Sequence, residues 1–313
     1  MAKKKDKPAG FLSEFKLPQW TQAAEWLKHP RAGRYMALAG LLVVTAVATT
    51  RGLAYLDAHV HSLPKYDQFV TAVEWQDLPD LLRRPENRHI LESVKNRIAL
   101  SPTDKILDPT LAERVGRSLV DPSIGWVKSV EQVTVRPDGI VAVKCRFREP
   151  AAYVQHGEAC YLVDATGFRL PGWYNVEDCA TSRLLLIAGV VKPPPEIGYR
   201  WHGDDLQAGL RLAELVAGRT FRDQVDRIIV TNYEGRVDRK RPQIEIATNR
   251  AGSRIWWGQP PKLEDGTETT VDQKLALLDW LYHEHGRIDL NRAYVDIRTH
   301  PNSVSIAKAH NPT

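Results

Sequence analysis

The longest uncharged apolar segment of the chain lies near its beginning. Residues 35–50 (YMALAGLLVVTAVATT) carry no charge, and extension to Leu56 gives 22 residues. At 1.5 Å per residue, a helix of this length spans about 33 Å, enough to cross a hydrocarbon core of about 30 Å. The pattern therefore predicts a transmembrane helix over 35–56, with Arg51 reaching toward the membrane surface.

After a short polar linker (57–66), residues 67–150 show strand, helix, helix, strand and strand patterns in that order. A strand-like segment covers 69–75, and two alternating segments over 125–135 and 140–148 flank the turn 136–139 (RPDG). The two helical stretches each have one apolar face, formed by Ile90, Val94 and Ile98 in the first and by Leu111, Val115 and Leu119 in the second. This pattern predicts a compact β-α-α-β-β domain.

Residues 151–313 consist mostly of strand patterns. Two stretches have helical periodicity instead, 205–217 and 271–283. Short apolar or alternating segments cover 161–164, 168–170, 184–191, 226–232, 243–247, 253–257, 293–298 and 303–307. The fold class is therefore α+β, and this second domain is expected to be mostly antiparallel with two helices.

The positive charge of the chain is concentrated before the apolar segment. Residues 1–34 contain eight Lys and Arg against three acids, a net charge of +5, and the whole chain also carries +5. The folded part is thus neutral, which argues against nucleic-acid binding. Because basic residues are retained on the cytoplasmic side, we expect a cytoplasmic tail over 1–34 and a periplasmic C-terminal part.

A cleaved signal peptide is the alternative, because Ala46-Val47-Ala48 fits a cleavage pattern behind an apolar segment. The 34-residue head is long for a signal peptide. Its Phe, Trp and Leu residues suggest either an amphipathic segment at the membrane surface or a disordered basic tail.

The chain has three cysteines, Cys145, Cys160 and Cys179. This odd number suits neither a disulfide framework nor a zinc site. In an oxidising periplasm Cys160 and Cys179 could pair, or all three could stay reduced. Cys145 shares strand parity with apolar neighbours and is expected in the core.

Enzyme signatures are few. Asp57-Ala58-His59-Val60-His61 resembles the metal-binding start of amidohydrolases, so a membrane-anchored metal hydrolase using His59 and His61 is one alternative. The predicted elements do not alternate as a (β/α)8 barrel requires. Nucleophile-elbow, phosphate-loop and dinucleotide-binding motifs do not occur in the sequence, and we expect no cofactor, metal or small-molecule substrate.

Several short motifs together resemble the FtsQ/DivIB family of cell-division proteins. They are Gly125-Trp126-Val127, Val133-x-Val135-Arg136-Pro137, Arg148-Glu149-Pro150-Ala151, Tyr161-Leu162-Val163-Asp164-x-x-Gly167 and Val295-Asp296-Ile297-Arg298. Their order and the single N-terminal span carry the resemblance, which covers nearly the whole chain. The chain departs from the family pattern at Gly125, where proline is common, and in the charged hairpin 236–242.

The resemblance implies a single-pass inner-membrane protein with a POTRA domain (67–150) and a β domain (151–313). Such proteins are non-enzymatic scaffolds that recruit FtsB- and FtsL-type membrane proteins to the division septum. The alternative is a POTRA-containing component of envelope secretion or assembly.

The predicted partner site is the final strand pattern and the residues before it. An edge strand offers unpaired backbone groups to an incoming strand, and 303–308 (SVSIAK) is a candidate for that edge. Arg298 and Thr299 match partner-contacting positions of the family. The predicted partner-binding residues are Arg298, Thr299, Val304, Ser305, Ile306, Ala307 and Lys308.

Overall fold

The computed structural model describes residues 32–180, 183–263, 265–299 and 305–306. The chain divides after Asp67 into two compact units. The first contains α1, a 31-residue helix over Ala32–Ser62. This helix is long and apolar enough to cross a membrane, with a mean hydropathy of 1.6 and exposed apolar side chains. It extends six residues beyond the predicted span, so 57–62 are helical.

The second unit, residues 68–313, contains two sheets. The smaller sheet has the order β1-β3-β2, with β1 parallel and β2 antiparallel to β3. Its strands are β1 (Ala72–Gln76), β2 (Val127–Val135) and β3 (Ile140–Phe147). The helices between β1 and β2 are α2 (Asp80–Arg83), α3 (Arg88–Lys95) and α4 (Leu111–Leu119), with a 3₁₀ turn at Pro85–Asn87.

The predicted apolar faces of these helices are confirmed. Leu111, Val115 and Leu119 of α4 are fully buried, and α4 packs against β2. Asp108 accepts hydrogen bonds from the backbone N–H and hydroxyl of Thr110 just before α4 begins. The first predicted helix is shorter than expected, because 96–100 form turns after Lys95.

In the described part of the chain, the larger sheet has nine strands in the order β12-β11-β10-β9-β8-β7-β4-β5-β6. These are β4 (Pro150–His156), β5 (Ala159–Asp164), β6 (Tyr174–Asn175), β7 (Leu185–Ala188), β8 (Val225–Ile229), β9 (Ile244–Thr248), β10 (Arg254–Gly258), β11 (Tyr294–Asp296) and β12 (Ser305–Ile306). The helices are α5 (Val176–Ala180), α6 (Asp204–Ala217) and α7 (Val271–His285).

The sheet is of mixed orientation: within the described residues five of its eight strand pairs are antiparallel, in line with the expectation, and three parallel pairs were not predicted. The pairs β4–β7, β7–β8 and β10–β11 are parallel. Two of them follow from the helices, since α6 connects β7 to β8 and α7 connects β10 to β11. A parallel connection needs such a crossover, because the chain must return to the same end of the sheet.

One hydrophobic core lies between this sheet and its two long helices. It joins apolar residues of α6 and α7 to inward-facing residues of β4, β5 and β7–β11, including Val154, Val163, Ile187, Ile228, Ile246, Ile255 and Val295. The helix α7 begins with a capping box, in which Thr270 accepts from Gln273 N and Gln273 accepts from Thr270 N. It ends at Gly286, whose φ of 70° suits glycine.

The two sheets meet at a junction of buried polar and close backbone contacts. Arg148, between β3 and β4, donates to Asp164 at the end of β5 across 2.7 Å, and its guanidinium lies 3.8 Å from the ring centre of Phe168. A Cβ at Gly198 would lie 2.1 Å from the carbonyl oxygen of Pro122. The junction therefore holds the two sheets in direct contact.

Candidate partner-binding edge of the nine-stranded sheet

The edge formed by β11 and β12 is the region that the sequence proposes as a partner site. β12 pairs antiparallel with β11, Ile306 opposite Val295 and Ser305 opposite Asp296. Within the described residues no further strand pairs with β12. An outermost strand presents N–H and C=O groups on its far side, and these can pair with a strand from another chain.

Four of the seven predicted site residues fall in the described part of this edge. Ser305 and Ile306 form β12, while Arg298 and Thr299 lie in the connection that leads from β11 to it. Val304, Ala307 and Lys308 lie outside the described residues.

Arg298 is held by its own chain. Its Nε and Nη2 donate to the two carboxylate oxygens of Asp296 at 2.9 and 2.7 Å, and its backbone N–H donates to the same carboxylate. The guanidinium also lies 5.2 Å from the ring centre of Trp256. These hydrogen bonds to Asp296 raise the pKa of Arg298. The side chain thus stiffens the end of β11, whereas Thr299 beside it is exposed.

An aromatic pair lies next to Arg298 on the sheet face opposite the helices. The rings of Trp256 and Tyr294 are stacked, with centroids 4.2 Å apart and an angle of 5° between them. Trp256 alternates along β10 with Ile255 and Trp257, which are fully buried in the core. Tyr294, Trp256 and Arg298 therefore form a continuous half-buried layer beside the edge.

The segment before α7 fixes the chain immediately after β11. Thr269 donates its backbone N–H to the carbonyl of Arg298 at 2.7 Å and its hydroxyl to the carbonyl of Ile297 at 2.7 Å. Next to it, Glu268 accepts from Lys274 Nζ at 2.8 Å. Lys274 is fully buried and lies 5.3 Å from the ring centre of Trp257. Breaking such a buried pair is costly, so it anchors this segment against the core.

A second buried network holds the segment that enters β11. Asp289 is fully buried and accepts from Arg287, from the hydroxyl of Thr248 at 2.8 Å and from Asn291 N at 3.0 Å. Burial alone would raise the pKa of Asp289, but these hydrogen bonds outweigh it and lower the pKa to about 2. Because Thr248 ends β9, the carboxylate ties the path into β11 to a central strand.

The histidines considered for metal binding are on α1, two positions apart. His61 Nδ1 lies 2.8 Å from the carbonyl of Asp57, and His59 stacks on Tyr55. Side chains two positions apart on a helix point in different directions. In the part of the chain that the structure describes, no three His, Cys, Asp or Glu side chains are grouped to hold a metal ion.

Most of the side chains that shape this edge were not predicted from the sequence. Trp256, Tyr294 and the Lys274–Glu268 pair were not singled out, and Asp296 was noted only within the motif Val295-Asp296-Ile297-Arg298. The Asp296–Arg298 pair had a readable signal, since residues two apart in an extended segment lie on the same side. The Lys274–Glu268 pair had no such signal, because the position of Lys274 in α7 does not indicate that a carboxylate outside the helix will reach it.

No model of a protein family matches this chain, and no curated protein matches it either.

Proposed function

We propose that this chain is a non-enzymatic, single-pass membrane scaffold of the bacterial division machinery, similar to FtsQ/DivIB proteins. Its basic head lies in the cytoplasm, α1 crosses the inner membrane, and residues 67–313 lie in the periplasm at the septum. There it recruits membrane proteins of the FtsB and FtsL type.

The observation that carries the proposal is that, within the described residues, β12 is the outermost strand of the larger sheet. A two-residue strand adds few hydrogen bonds to the sheet that it borders. Its outer backbone groups can still pair with a strand from another chain. The buried networks of Asp289 and Lys274 hold the neighbouring segments, so the edge is prepared before a partner arrives.

The smaller sheet supports the same assignment. Residues 72–147 follow the element order β-α-α-α-β-β, in which the first helix, α2, has only four residues, and the last strand lies between the other two. A POTRA domain between the membrane helix and the β domain is what the family resemblance implies. The basic head and apolar helix support the topology, since Lys and Arg remain on the cytoplasmic side.

The edge is tested by introducing a charge into β12. The FtsB- and FtsL-type proteins encoded in the same genome are co-expressed with the tagged full-length chain and co-purified in detergent. We expect Ile306→Glu to lower their capture at least about tenfold, a loss of about 1.4 kcal/mol, because the added strand would have to accommodate the carboxylate.

The matched control is Asn175→Glu, which places the same charge in β6, the two-residue strand at the opposite end of the sheet. This variant should capture partners as well as the unaltered chain does. The melting temperatures of both variants should be close to that of the unaltered chain. Equal capture by Ile306→Glu and the unaltered chain would remove the edge from the proposal.

The place in the cell is tested by a fluorescent fusion and by depletion. A band at mid-cell and filaments without septa are expected, whereas secretion or assembly functions predict signal around the whole envelope. Normal division after depletion would contradict the division role.

A further inference from the structure

A pair of buried cysteines lies at the other end of the nine-stranded sheet. Cys160 pairs with Tyr174 where β5 meets β6, and Cys179 is in the helix α5 that follows β6 directly. The two thiols lie close enough to interact with each other. With Leu186 of β7 they form a small buried cluster, separate from the main core.

This cluster holds the segment 174–180 on the outer face of the sheet. The elements of this segment are short, since β6 has two residues and α5 has five. Tyr174 packs edge-on against Tyr153, with ring centres 5.2 Å apart, and both rings pack against the cysteine cluster. The two sulfur atoms therefore lie where a covalent bond would fasten a weakly held segment to the sheet.

We propose that Cys160 and Cys179 are a disulfide site, oxidised when the chain folds outside the cytoplasm. The compartment in this proposal rests on the proposed function, but the contact between the thiols does not.

The bond forms by exchange with a disulfide-bearing oxidant, either a protein dithiol oxidase or a small disulfide. One cysteine thiolate attacks the oxidant and releases one of its sulfurs as a thiol. The second cysteine attacks the mixed disulfide and releases the other. The chain loses two thiol protons and two electrons, and the oxidant disulfide becomes two thiols.

We expect this exchange to take place while the chain is folding, before the thiols are buried. Cys160 is fully buried and Cys179 nearly so, and burial raises the pKa of both thiols, to about 12 for Cys179. Since the thiolate is the nucleophile, the folded reduced protein should react slowly. An oxidant present during folding reaches the pair before the tyrosines cover it.

Cys145 is the matched control that the chain provides. It is also buried, with a pKa raised to about 12 by burial, but it lies in β3 of the smaller sheet. The proposal therefore predicts one specific pairing among three similarly inert thiols.

The test uses the full-length chain in detergent, either purified from membranes or refolded with oxidised glutathione. Thiols are counted by maleimide labelling after denaturation, with and without reductant, and the linked peptide is identified by mass spectrometry. We expect one free thiol before reduction and three after it. Cys145→Ala should leave none before reduction, whereas Cys160→Ala and Cys179→Ala should each leave two.

A stability measurement provides a second readout. Reduction should lower the melting temperature of the unaltered chain and of Cys145→Ala by about 5 °C or more, and leave Cys160→Ala unchanged. Three free thiols in both preparations, or a bond that involves Cys145, would overturn the proposal. A bond that forms on refolding but is missing from membranes would uphold the site and contradict the proposed periplasmic location instead.

Discussion

Two arginine–aspartate pairs lie near opposite ends of the nine-stranded sheet, and they have the same shortest N–O distance of 2.7 Å. Arg148 and Asp164 join the connection after the smaller sheet to a strand of the larger one, with only 11% and 8% of their side chains exposed. Arg298 and Asp296 are two residues apart in one segment and are 19% and 12% exposed. The first pair holds two sheets together, whereas the second only stiffens the strand end that carries it.

This difference separates a closed part of the molecule from the part that we propose is open to a partner. At the junction, the side chains of Arg148 and Asp164 and the backbone near Gly198 and Pro122 make contacts between segments that are far apart in the sequence. At the edge, charged side chains are satisfied locally, and the outer backbone of β12 has no strand beside it within the described residues. Four measurements test this contrast.

The largest effect is expected for Arg148→Met. The substitution keeps most of the side-chain volume but leaves the Asp164 carboxylate buried without its cation, which should cost about 4 kcal/mol of unfolding free energy. Denaturant unfolding of the full-length chain in detergent measures it. Arg117→Met, which breaks an exposed pair with Glu113, is the control and should change stability by less than about 0.5 kcal/mol. Similar losses for both would mean that the junction pair is not special.

Gly198→Ala should cost about 3 kcal/mol. Its φ of 78° disfavours alanine, and the added Cβ would collide with the carbonyl of Pro122 across the junction. Gly252 has nearly the same φ, 76°, with open space around the Cβ position, so Gly252→Ala should cost only about 1 kcal/mol. The difference in stability between the two variants measures the contribution of the Gly198–Pro122 contact. Equal stability losses would show that this contact does not hold the sheets together.

Asp289→Asn should cost about 2 kcal/mol at pH 7. The folded pKa of about 2 lies below the ordinary value of 3.8, so the carboxylate adds stability above about pH 4. That contribution is lost as the pH falls from about 4 to 2, and the stability curves of the variant and the unaltered chain should converge there. A difference that stays constant with pH would mean that the charge does not hold the path into β11.

The smallest effect is expected for Arg298→Ala, about 1 kcal/mol, because the pair it breaks is local and partly hydrated. Capture of the proposed FtsB- and FtsL-type partners is the more sensitive readout, since the change loosens the strand end beside β12. Arg117→Ala, which removes an exposed arginine paired with Glu113 in α4, is the control and should leave capture unchanged. A stability loss for Arg298→Ala as large as that for Arg148→Met would contradict the distinction between a pair that joins two sheets and a pair that acts only locally.

Much of the element order was predictable from the sequence, because periodicity reports which side of an element faces a core. The buried faces of α4, α6 and α7 are examples. The strand β4 was overlooked, although its apolar residues alternate, because Pro150 and the following alanines weaken the pattern. The short elements β6 and α5 have too few residues to show a period.

Strand pairing and long-range contacts were harder to predict from the sequence. The parallel pairs β7–β8 and β10–β11 could have been inferred from each strand-helix-strand order, but the neighbour of β7 on its other side could not. The Arg148–Asp164 pair and the contact of Gly198 with Pro122 depend on how two sheets meet, which no local pattern encodes. For the candidate site, the sequence indicated the final strand but not the side chains that support it.

The strands β11 and β12 follow all the other described strands in chain order, and β11 is reached only through α7. During synthesis, the proposed partner edge can therefore form only after the central strands and both long helices have been made. A copy that lacks β11 and β12 would keep most of the described core but would lack the proposed edge. If the edge binds a partner, binding would thus wait until these last described strands exist.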